Sequence, residues 1–298
     1  MARALPAIVP LAPEGWQDYE LLDSGEGAKL ERFGAYTLVR PEKAALWHRA
    51  LGPKRWQAAD AVFSQEDGGE GHWVQRRPIP EHWPMRYGGL TFWAKLTPFR
   101  HTGVFPEQAP HWDWLDRVVR AGGRPLEVLN LFAYTGISSL VAAAAGASVV
   151  HVDASRPTIG WARENAAAAG LDDRPIRWIL DDVMKFVRRE ARRGRRYDGI
   201  IMDPPVFGRG PKGEIWRFQQ AFPPLIEACR EVMAERPLFC LVTAYATEDS
   251  ALTLYNVVQE WLGSYGGRTT VGELTLSDAS AQRPLSLAIY ARWSAKEV

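Results

Sequence analysis

The chain has 298 residues, of which 46% are hydrophobic and 24% are charged, and its formal net charge is +1. This composition is typical of a globular protein with a full core, and any polyanion would have to be held by a local patch. No run approaches the roughly 18 apolar residues of a membrane span, the chain start does not resemble a signal peptide, and Cys229 and Cys240 match no metal or disulfide pattern. We therefore expect a cytoplasmic protein with no membrane segment and no bound metal.

Residues 1–110 predict a small β-rich domain. Short alternating runs at residues 35–39, 62–63, 72–75 and 90–96 are punctuated by Gly and Pro. Large aromatic and basic side chains accompany these runs: Trp56, Trp73, Trp83, Trp93, Arg76, Arg77, Arg86 and Arg100. They either fill and edge a small core or form a platform that stacks bases and binds phosphates, and the sequence leaves both interpretations open.

Residues 111–298 predict a larger α/β domain, because β-rich runs alternate with helical stretches from about residue 125 onward. Strands are predicted at residues 126–132, 148–152, 176–180, 200–202, 238–243, 269–276 and 285–293. Helices follow the first three strands, and two more are predicted at residues 214–233 and 249–261. This order is typical of a mostly parallel sheet with helical crossovers.

The helix after the second strand has clear boundary signals. Ser155 can cap its N-terminus, Pro157 occupies the first turn, where proline is tolerated, and Gly170 can close the helix. Asp182 can open the next helix in the same way.

The fourth strand ends in a corner of sequence Asp203-Pro204-Pro205-Val206-Phe207. Each proline fixes its φ angle and lacks an N–H, so the corner presents carbonyl oxygens with few competing donors, and Phe207 adds a flat apolar face. The corner predicts either a simple turn or the acceptor side of a cleft for a planar substrate that carries an NH group.

Polar residues follow the other strands at the same relative position. Gly136 can start a helix near a ligand, Asp153 can accept both hydroxyls of a ribose, and Asp182 can meet an adenine amino group. Taken singly, each aspartate is also compatible with a helix cap or a surface acid. In ordered combination with Asp203, they favour a ligand site at the carboxyl edge of the sheet.

The loop after the first strand restricts the ligand. Phe132, Tyr134 and Thr135 fill it, whereas the pyrophosphate of NAD requires close backbone approach at several glycines. An adenosine site without a diphosphate fits better. S-adenosylmethionine is the common cofactor of that description.

Four segments carry a resemblance to a known family: VLNLFAYTG (residues 128–136), HVDAS (151–155), WAREN (161–165) and YDGIIMDPPVF (197–207). They resemble the class I S-adenosylmethionine-dependent methyltransferases, and among these the large-subunit ribosomal RNA methyltransferases that modify cytosine C5 or guanine N7. The resemblance covers roughly the C-terminal two thirds of the chain. It implies a Rossmann-like, mostly parallel sheet, S-adenosylmethionine as the cofactor, and RNA, specifically ribosomal RNA, as the partner.

The resemblance also implies roles for individual residues. Upstream, the segment TGVFPEQ (residues 102–108) looks like the one that bridges a small β domain to the catalytic domain and closes over the cofactor. The implied cofactor-binding residues are Asn130, Phe132, Tyr134, Thr135, Gly136, Asp153, Ser155, Asp182, Phe105 and Gln108. The implied catalytic residues, on the side of the target base, are Asp203, Pro204, Pro205 and Phe207.

One departure from the family concerns the chemistry. Methylation of cytosine C5 needs a cysteine thiolate that adds to C6, and family members place it beside the corner or after the next strand. Here those positions hold Val206 and residues 243–245, while Cys240 lies within a strand and Cys229 within a helix. We therefore expect direct methylation of a base nitrogen, without a covalent intermediate.

The run of arginines at residues 188–196 predicts either a phosphate-binding patch or a solvated helix end. The favoured function is an S-adenosylmethionine-dependent methyltransferase that acts on ribosomal RNA. The alternatives are a methyltransferase of a small molecule or protein, an NAD-linked oxidoreductase, and a non-catalytic RNA-binding protein.

Overall fold

The computed structural model describes residues 5–64, 71–245 and 249–297. The chain divides into two compact units. The large-sheet unit consists of Met1–Leu11, His111–Leu274 and Ala288–Val298, and the β-rich unit consists of Ala12–Pro110 and Thr275–Leu287. In the described part of the chain, no helix is both long enough and apolar enough to cross a membrane.

Strands predominate up to residue 94, and helices and strands mostly alternate after it. The strands are β1 (Ile8–Leu11), β2 (Tyr19–Gly25), β3 (Ala28–Phe33), β4 (Tyr36–Pro41), β5 (Ala61–Ser64), β6 (His72–Gln75), β7 (Trp83–Tyr87), β8 (Leu90–Ala94), β9 (Glu127–Leu131), β10 (Ser148–Asp153), β11 (Ile176–Leu180), β12 (Gly199–Met202), β13 (Phe207–Arg209), β14 (Ile215–Arg217), β15 (Phe239–Tyr245), β16 (Arg268–Ser277) and β17 (Pro284–Ser294). The α-helices are α1 (Pro53–Gln57), α2 (Ala109–Arg120), α3 (Ile137–Ala144), α4 (Arg156–Ala168), α5 (Val183–Arg192), α6 (Phe218–Arg230) and α7 (Ala251–Leu262). Short 3-10 helices span Pro106–Gln108 and Gly263–Tyr265.

The large-sheet unit is organised around one mostly parallel sheet. Within the described residues this sheet has eight strands in the order β1-β16-β17-β15-β12-β9-β10-β11. Strands β15, β12, β9, β10 and β11 run parallel to their neighbours in that series, and β17 is antiparallel to β15. Every residue of the central strand β12 is buried, as expected for a parallel strand covered on both faces. The predicted α/β fold with a mostly parallel sheet is confirmed.

Helices α5, α6 and α7 share one hydrophobic cluster with the sheet. Phe186, Leu225 and Val258, one from each helix, are fully or almost fully buried in it, together with Leu129 and Ile200 of the sheet. Burial of such side chains contributes about 1.5–3 kcal/mol each relative to exposure. This layer holds the strand ends, and the residues that follow them, in a fixed register.

The predicted boundary signals act as expected at α4. The Ser155 hydroxyl accepts the Thr158 N–H at 3.4 Å, and Pro157 lies in the first turn. Gly170 has a φ of +66°, a left-handed conformation that glycine adopts without strain after a helix end. Asp182 caps α5, and its Oδ1 atom accepts the Lys185 N–H at 3.0 Å.

The helix predicted at residues 214–233 is wrong at its start. Residues Ile215–Arg217 form strand β14, which pairs antiparallel with β13 directly after the proline corner. Helix α6 begins only at Phe218. A run of three residues is too short for its hydrophobic pattern to distinguish a strand from a helix. Pairing with β13 makes these residues a strand.

The two units depart from the expected boundaries, 1–110 and 111–298, at two places. Strand β1 pairs parallel with β16 and so joins the large sheet, although it precedes the β-rich unit in the chain. The loop between β16 and β17 belongs to the β-rich unit, where Asp278 accepts a hydrogen bond from Ser24 at 2.8 Å and Arg283 pairs with Asp23 at 3.0 Å. These contacts join residues more than 250 positions apart, so no local sequence pattern predicts them.

The β-rich unit confirms the predicted β-rich N-terminal part. Among the residues described, it contains a five-stranded sheet in the order β2-β3-β4-β5-β6 and a two-stranded sheet of β7 and β8. Trp56 and Trp83 are buried in its core, and the Trp56 indole N–H donates to Asp23 at 3.0 Å. Of the two interpretations, these two tryptophans therefore fill the core and do not form a platform that stacks bases.

Candidate active site

Three neighbouring parallel strands of the large sheet end at the same level. Leu131, at the end of β9, lies opposite Val152 of β10 and opposite Met202 of β12. The next residues after Val152 and Met202 are Asp153 and Asp203. The sheet register therefore brings the two carboxylates to the same edge, where parallel α/β sheets bind their ligands.

Asp153 is fixed by backbone donors on both of its oxygens. Oδ2 accepts the Tyr134 N–H at 2.9 Å and Oδ1 accepts the Ser155 N–H at 2.9 Å. Burial raises the pKa of Asp153, and these backbone donors oppose that rise. Each carboxylate oxygen can accept a further hydrogen bond, so a held carboxylate can bind two vicinal hydroxyls.

The loop between β9 and α3 has an unusual backbone. Phe132 and Tyr134 have φ angles of +56° and +50°, and Gly136 has a φ of +86°. Non-glycine residues rarely adopt positive φ, at a cost of about 1–3 kcal/mol, and such positions cluster at ligand-binding loops. The strain is held by contacts at both rings: Phe132 packs edge-on against Trp216 at 4.7 Å between ring centroids, and Tyr134 packs against Trp161 at 6.4 Å.

Gly136 and Thr135 close the loop against helix α4. A Cβ atom at Gly136 would lie 3.0 Å from the Cβ of Ala162, so the backbone approaches the helix more closely than a larger residue allows. Thr135 is almost fully buried, and its carbonyl accepts the Asn165 side-chain N–H at 2.9 Å. The predicted loop residues thus lie together with Asp153, held from beneath by α4.

A buried polar chain supports the same loop from the sheet. Asn130, which is 2% exposed, donates to the Ser139 hydroxyl at 2.9 Å, and Ser139 lies 3.1 Å from Nδ1 of His151. Burial lowers the pKa of His151 to about 3, so its imidazole is neutral. The amide of Asn130 is therefore used within the protein, and its predicted contact with the cofactor stays a prediction.

Ser155 and Asp182 both serve as helix caps, as described for α4 and α5. Asp182 follows β11, and the backbone N–H of the preceding Asp181 donates to the Asp153 carbonyl at 3.2 Å. The structure thus places Asp182 beside Asp153 at the sheet edge. Cap geometry leaves room for a second role for Asp182, because only its Oδ1 atom is needed for the cap.

The proline corner differs from the expected set of open carbonyls. The Trp216 indole N–H donates to the Pro205 carbonyl at 2.6 Å, and the Phe218 N–H donates to the Val206 carbonyl at 3.0 Å. No residue that the structure describes donates to the carbonyl of Pro204. The Pro205 carbonyl is therefore already used, and the Pro204 carbonyl is the proline carbonyl of the corner that has no donor among the described residues.

Phe207 begins the short hairpin of β13 and β14 and is 53% exposed. On the inner side of the hairpin, Trp216 is 7% exposed and packs against the Phe132 ring described above. Lys185, in the first turn of α5, forms an ion pair with Glu214 at the hairpin turn. The hairpin therefore bridges the loop after β9, the proline corner and α5.

Phe105 and Gln108 lie in the β-rich unit, at the 3-10 turn Pro106–Gln108. The Gln108 N–H donates to the Phe105 carbonyl at 3.0 Å, and the Gln108 side chain is 7% exposed. Their role in closing over a cofactor stays a prediction.

Neither cysteine is arranged as a nucleophile. Cys240 in β15 and Cys229 in α6 are fully buried, and burial raises the pKa of both thiols. A thiol with a raised pKa is a poor source of thiolate. In residues 5–64, 71–245 and 249–297, no group of three or more His, Cys, Asp or Glu side chains is arranged to hold a metal ion.

A known protein family matches the part of the chain that contains this site. A family model described as S-adenosylmethionine-dependent methyltransferase matches residues 56–229, more than half of the chain. The chain belongs to this methyltransferase family. The predicted enzyme class and cofactor are confirmed, and the interpretations as an NAD-linked oxidoreductase or a non-catalytic binding protein are not retained.

Two solved structures illustrate the similarity. A SAM-dependent methyltransferase from Agrobacterium tumefaciens is 46% identical to this methyltransferase, with a TM-score of 0.93, and the match covers 99% of this chain and 98% of that one. A putative methyltransferase in complex with SAH has a TM-score of 0.72, and the match covers 93% of this chain and 75% of that one. Its 19% identity shows the fold alone.

Among curated proteins, the ribosomal RNA large subunit methyltransferase K/L of Hahella chejuensis is 32% identical over 162 residues. Those residues are 54% of this chain and 21% of that protein. This methyltransferase therefore spans about a fifth of the length of that curated relative.

The residues at the sheet edge fit S-adenosylmethionine. Asp153 and Asp182 supply carboxylate acceptors, which suit the hydroxyl and amino donors of an adenosine. The strained loop at residues 132–136 supplies backbone groups beside them. When bound, the cofactor supplies a methyl group that its sulfonium charge has activated.

Three features of the site were not predicted from the sequence: Trp216, the Lys185–Glu214 ion pair and His151. Trp216 lies within the helix predicted at residues 214–233, and that prediction gave no indication of a contact between its indole and the proline corner. The ion pair joins residues 29 positions apart. His151 precedes Asp153 by two residues, and side chains two positions apart lie on the same face of a strand. This spacing was the one signal in the sequence that could have placed His151 near the site.

Proposed function

We propose that this protein methylates a nitrogen atom of a base in ribosomal RNA, by direct displacement and without a covalent cysteine intermediate. The observation that carries this proposal is the corner after β12. There the Asp203 carboxylate and the Pro204 carbonyl stand at the same sheet edge as Asp153, which we assign to the cofactor ribose. The acceptor and cofactor sides of the reaction are thus adjacent.

In this proposal the corner aligns the base rather than activating it by covalent chemistry. Asp203 and the Pro204 carbonyl accept hydrogen bonds from the base and orient the target nitrogen toward the cofactor side. Phe207 offers an exposed ring on which a base can stack, and stacking contributes about 1–3 kcal/mol per base. Alignment of this kind suffices for an activated methyl donor, because the reaction needs mainly proximity and orientation.

A base nitrogen fits better than cytosine C5. Methylation of C5 requires a thiolate at the site, whereas both cysteines of the chain are fully buried with raised pKa values. RNA as the substrate class is supported by the name of the curated relative, a ribosomal RNA large subunit methyltransferase. A helical target would have to be flipped out, at a cost of a few kcal/mol.

The test is a methyl-transfer assay with labelled S-adenosylmethionine. Ribosomal RNA, total protein and a small-molecule extract serve as separate acceptors, and the labelled nucleoside is identified after digestion. We expect label in ribosomal RNA, on a base nitrogen. Label on C5 of a pyrimidine would overturn the chemistry, and label in protein or small molecules alone would overturn the substrate class.

The site assignment has its own controls. Asp203→Ala should reduce methyl transfer by about a hundredfold or more, since a positioned charged acceptor is lost from the site. Asp172→Ala removes an exposed carboxylate from the turn after α4 and should leave transfer unchanged. If Asp203→Ala is as active as the unmodified enzyme, the assignment of Asp203 to the site is wrong.

A further inference from the structure

The hairpin of β13 and β14 has two chemically different faces. Side chains alternate along a strand, and Phe207 pairs with Arg217 while Arg209 pairs with Ile215. These four side chains therefore share one face, which we call the outer face. All four are exposed, with Phe207 at 53% and Ile215 at 62%.

The two arginines of the outer face, Arg209 and Arg217, have exposed side chains. Arg209 and Arg217 form no ion pair and no side-chain hydrogen bond with any residue that the structure describes. Two arginines of the run at residues 188–196 are paired, in contrast: Arg189 with Asp181 at 2.6 Å and Arg193 with Glu190 at 3.0 Å. The outer face thus carries two available positive charges and two exposed apolar side chains.

The inner face fixes the hairpin in place. Trp216 donates to the corner and packs against Phe132, and the Lys185–Glu214 ion pair ties the turn to α5. The outer face is therefore presented on a braced element. The outer face starts at Phe207, four residues after Asp203. A chain-like ligand bound to this face can therefore extend into the proline corner.

We propose that the outer face binds the single-stranded RNA next to the target base. Arg209 and Arg217 contact backbone phosphates, and Ile215 and the edge of Phe207 contact bases. This inference rests on the proposed function and extends it to the segment that flanks the modified base. Alternating cations and apolar groups match the alternating phosphates and bases of an unpaired strand.

The remaining arginines of α5 provide a matched control. Arg188 and Arg192 are exposed and form no ion pair within the described residues, as is true of Arg209 and Arg217. Helix α5 starts at the ligand edge of the sheet and runs away from it, so its C-terminal half lies away from the corner. The same number of charges can therefore be removed at a different place.

The experiment measures binding of a short, fluorescently labelled, mixed-sequence single-stranded RNA by anisotropy at several salt concentrations. We expect the double variant Arg209→Ala/Arg217→Ala to bind about tenfold more weakly, with a salt slope smaller by about 1.4, since about two phosphate contacts are lost. Arg209→Lys/Arg217→Lys should restore most of the affinity, and Arg188→Ala/Arg192→Ala should match the unmodified protein. Melting temperature and affinity for S-adenosylhomocysteine, measured by calorimetry, should be unchanged in all variants.

The outcomes separate the inference from the proposed function. If Arg209→Ala/Arg217→Ala binds RNA like the unmodified protein, or no more weakly than Arg188→Ala/Arg192→Ala, the inference is wrong and the proposed function stands. If the unmodified protein neither binds nor methylates RNA, the proposed substrate class is wrong and the inference is overturned with it. A selective loss in Arg209→Ala/Arg217→Ala, rescued by lysine, supports the inference.

Discussion

The indole N–H of Trp216 donates a 2.6 Å hydrogen bond to the carbonyl oxygen of Pro205. This bond joins the hairpin to the proline corner and satisfies one of the two proline carbonyls from within the protein. The two proline carbonyls therefore differ: that of Pro205 accepts a hydrogen bond, and that of Pro204 accepts none from the described residues. Of the two proline carbonyls, the one at Pro204 is therefore left for a substrate donor.

Trp216→Phe should weaken both the fold and catalysis. The variant keeps an aromatic ring against Phe132 but leaves the Pro205 carbonyl without its donor, which costs about 1–2 kcal/mol. We expect kcat for RNA methylation to fall by about tenfold because the corner loses its support, with unchanged affinity for S-adenosylhomocysteine. Steady-state kinetics and a urea titration check both expectations.

Trp261→Phe is the matched control for this substitution. Trp261 is also buried, yet its indole N–H has no hydrogen-bond partner among the described residues. Its replacement removes an N–H that makes no bond, so activity should stay at the level of the unmodified enzyme. Equal kcat values for Trp216→Phe and Trp261→Phe would mean that the bond to Pro205 has no catalytic consequence.

The parts of the fold that could be predicted from the sequence have local causes. Helix α4 carries its own start and stop signals in Ser155, Pro157 and Gly170, and strand β12 is a short buried run. The aspartates at the sheet edge were predictable because parallel strands align their carboxyl ends. Sequence therefore located Asp153, Asp182 and Asp203 at one edge without any knowledge of their contacts.

The parts that could not be predicted depend on distant partners. Strand β14 exists because β13 pairs with it, and strand β1 joins the large sheet through β16, far along the chain. The polar chain from Asn130 to His151 also requires α3 to place Ser139 between them. Such contacts arise from tertiary packing, which outweighs the weak preferences of short segments.

Asp182→Asn should separate the two roles of this residue. The single carbonyl oxygen of asparagine can still cap the Lys185 N–H, and asparagine is as good an N-cap as aspartate. Its NH₂ group then replaces the second oxygen and cannot accept from an adenine amino group. We expect about tenfold weaker binding of S-adenosylhomocysteine by calorimetry, with an unchanged melting temperature.

Asp182→Ala completes this comparison because it removes both the cap and the second oxygen. It should bind S-adenosylhomocysteine as weakly as Asp182→Asn and should also lose about 1 kcal/mol of stability through the missing cap. If Asp182→Asn binds normally, Asp182 is a helix cap alone.

Lys185→Met tests the brace between α5 and the hairpin turn. The hydrogen bond from Lys185 is the main cause that lowers the pKa of Glu214 to about 2, so this ion pair persists throughout the working pH range. Exposed ion pairs contribute little to stability, so the melting temperature should stay constant. We expect KM for RNA to rise about threefold as the hairpin loses its tie, while Lys185→Arg keeps the ion pair and the original KM. An unchanged KM in Lys185→Met would show that Trp216 alone holds the hairpin.

His151 should make the stability of the protein depend on pH. Burial lowers its pKa from 6.5 to about 3, so below pH 6.5 the unfolded imidazole takes up a proton that the folded one does not. The free energy of unfolding is therefore highest above pH 6.5, and His151 lowers it by about 1.4 kcal/mol per pH unit as the pH falls toward 3. His151→Gln removes this titration, so between about pH 7.5 and pH 5 its stability should fall by about 2 kcal/mol less than that of the unmodified protein. Urea titrations of both proteins at both pH values measure the difference, to which the other histidines contribute equally and therefore cancel. If both proteins lose the same stability between these pH values, the buried imidazole of His151 becomes protonated in the folded state. The conclusion that a neutral His151 supports the loop at residues 132–136 would then be wrong.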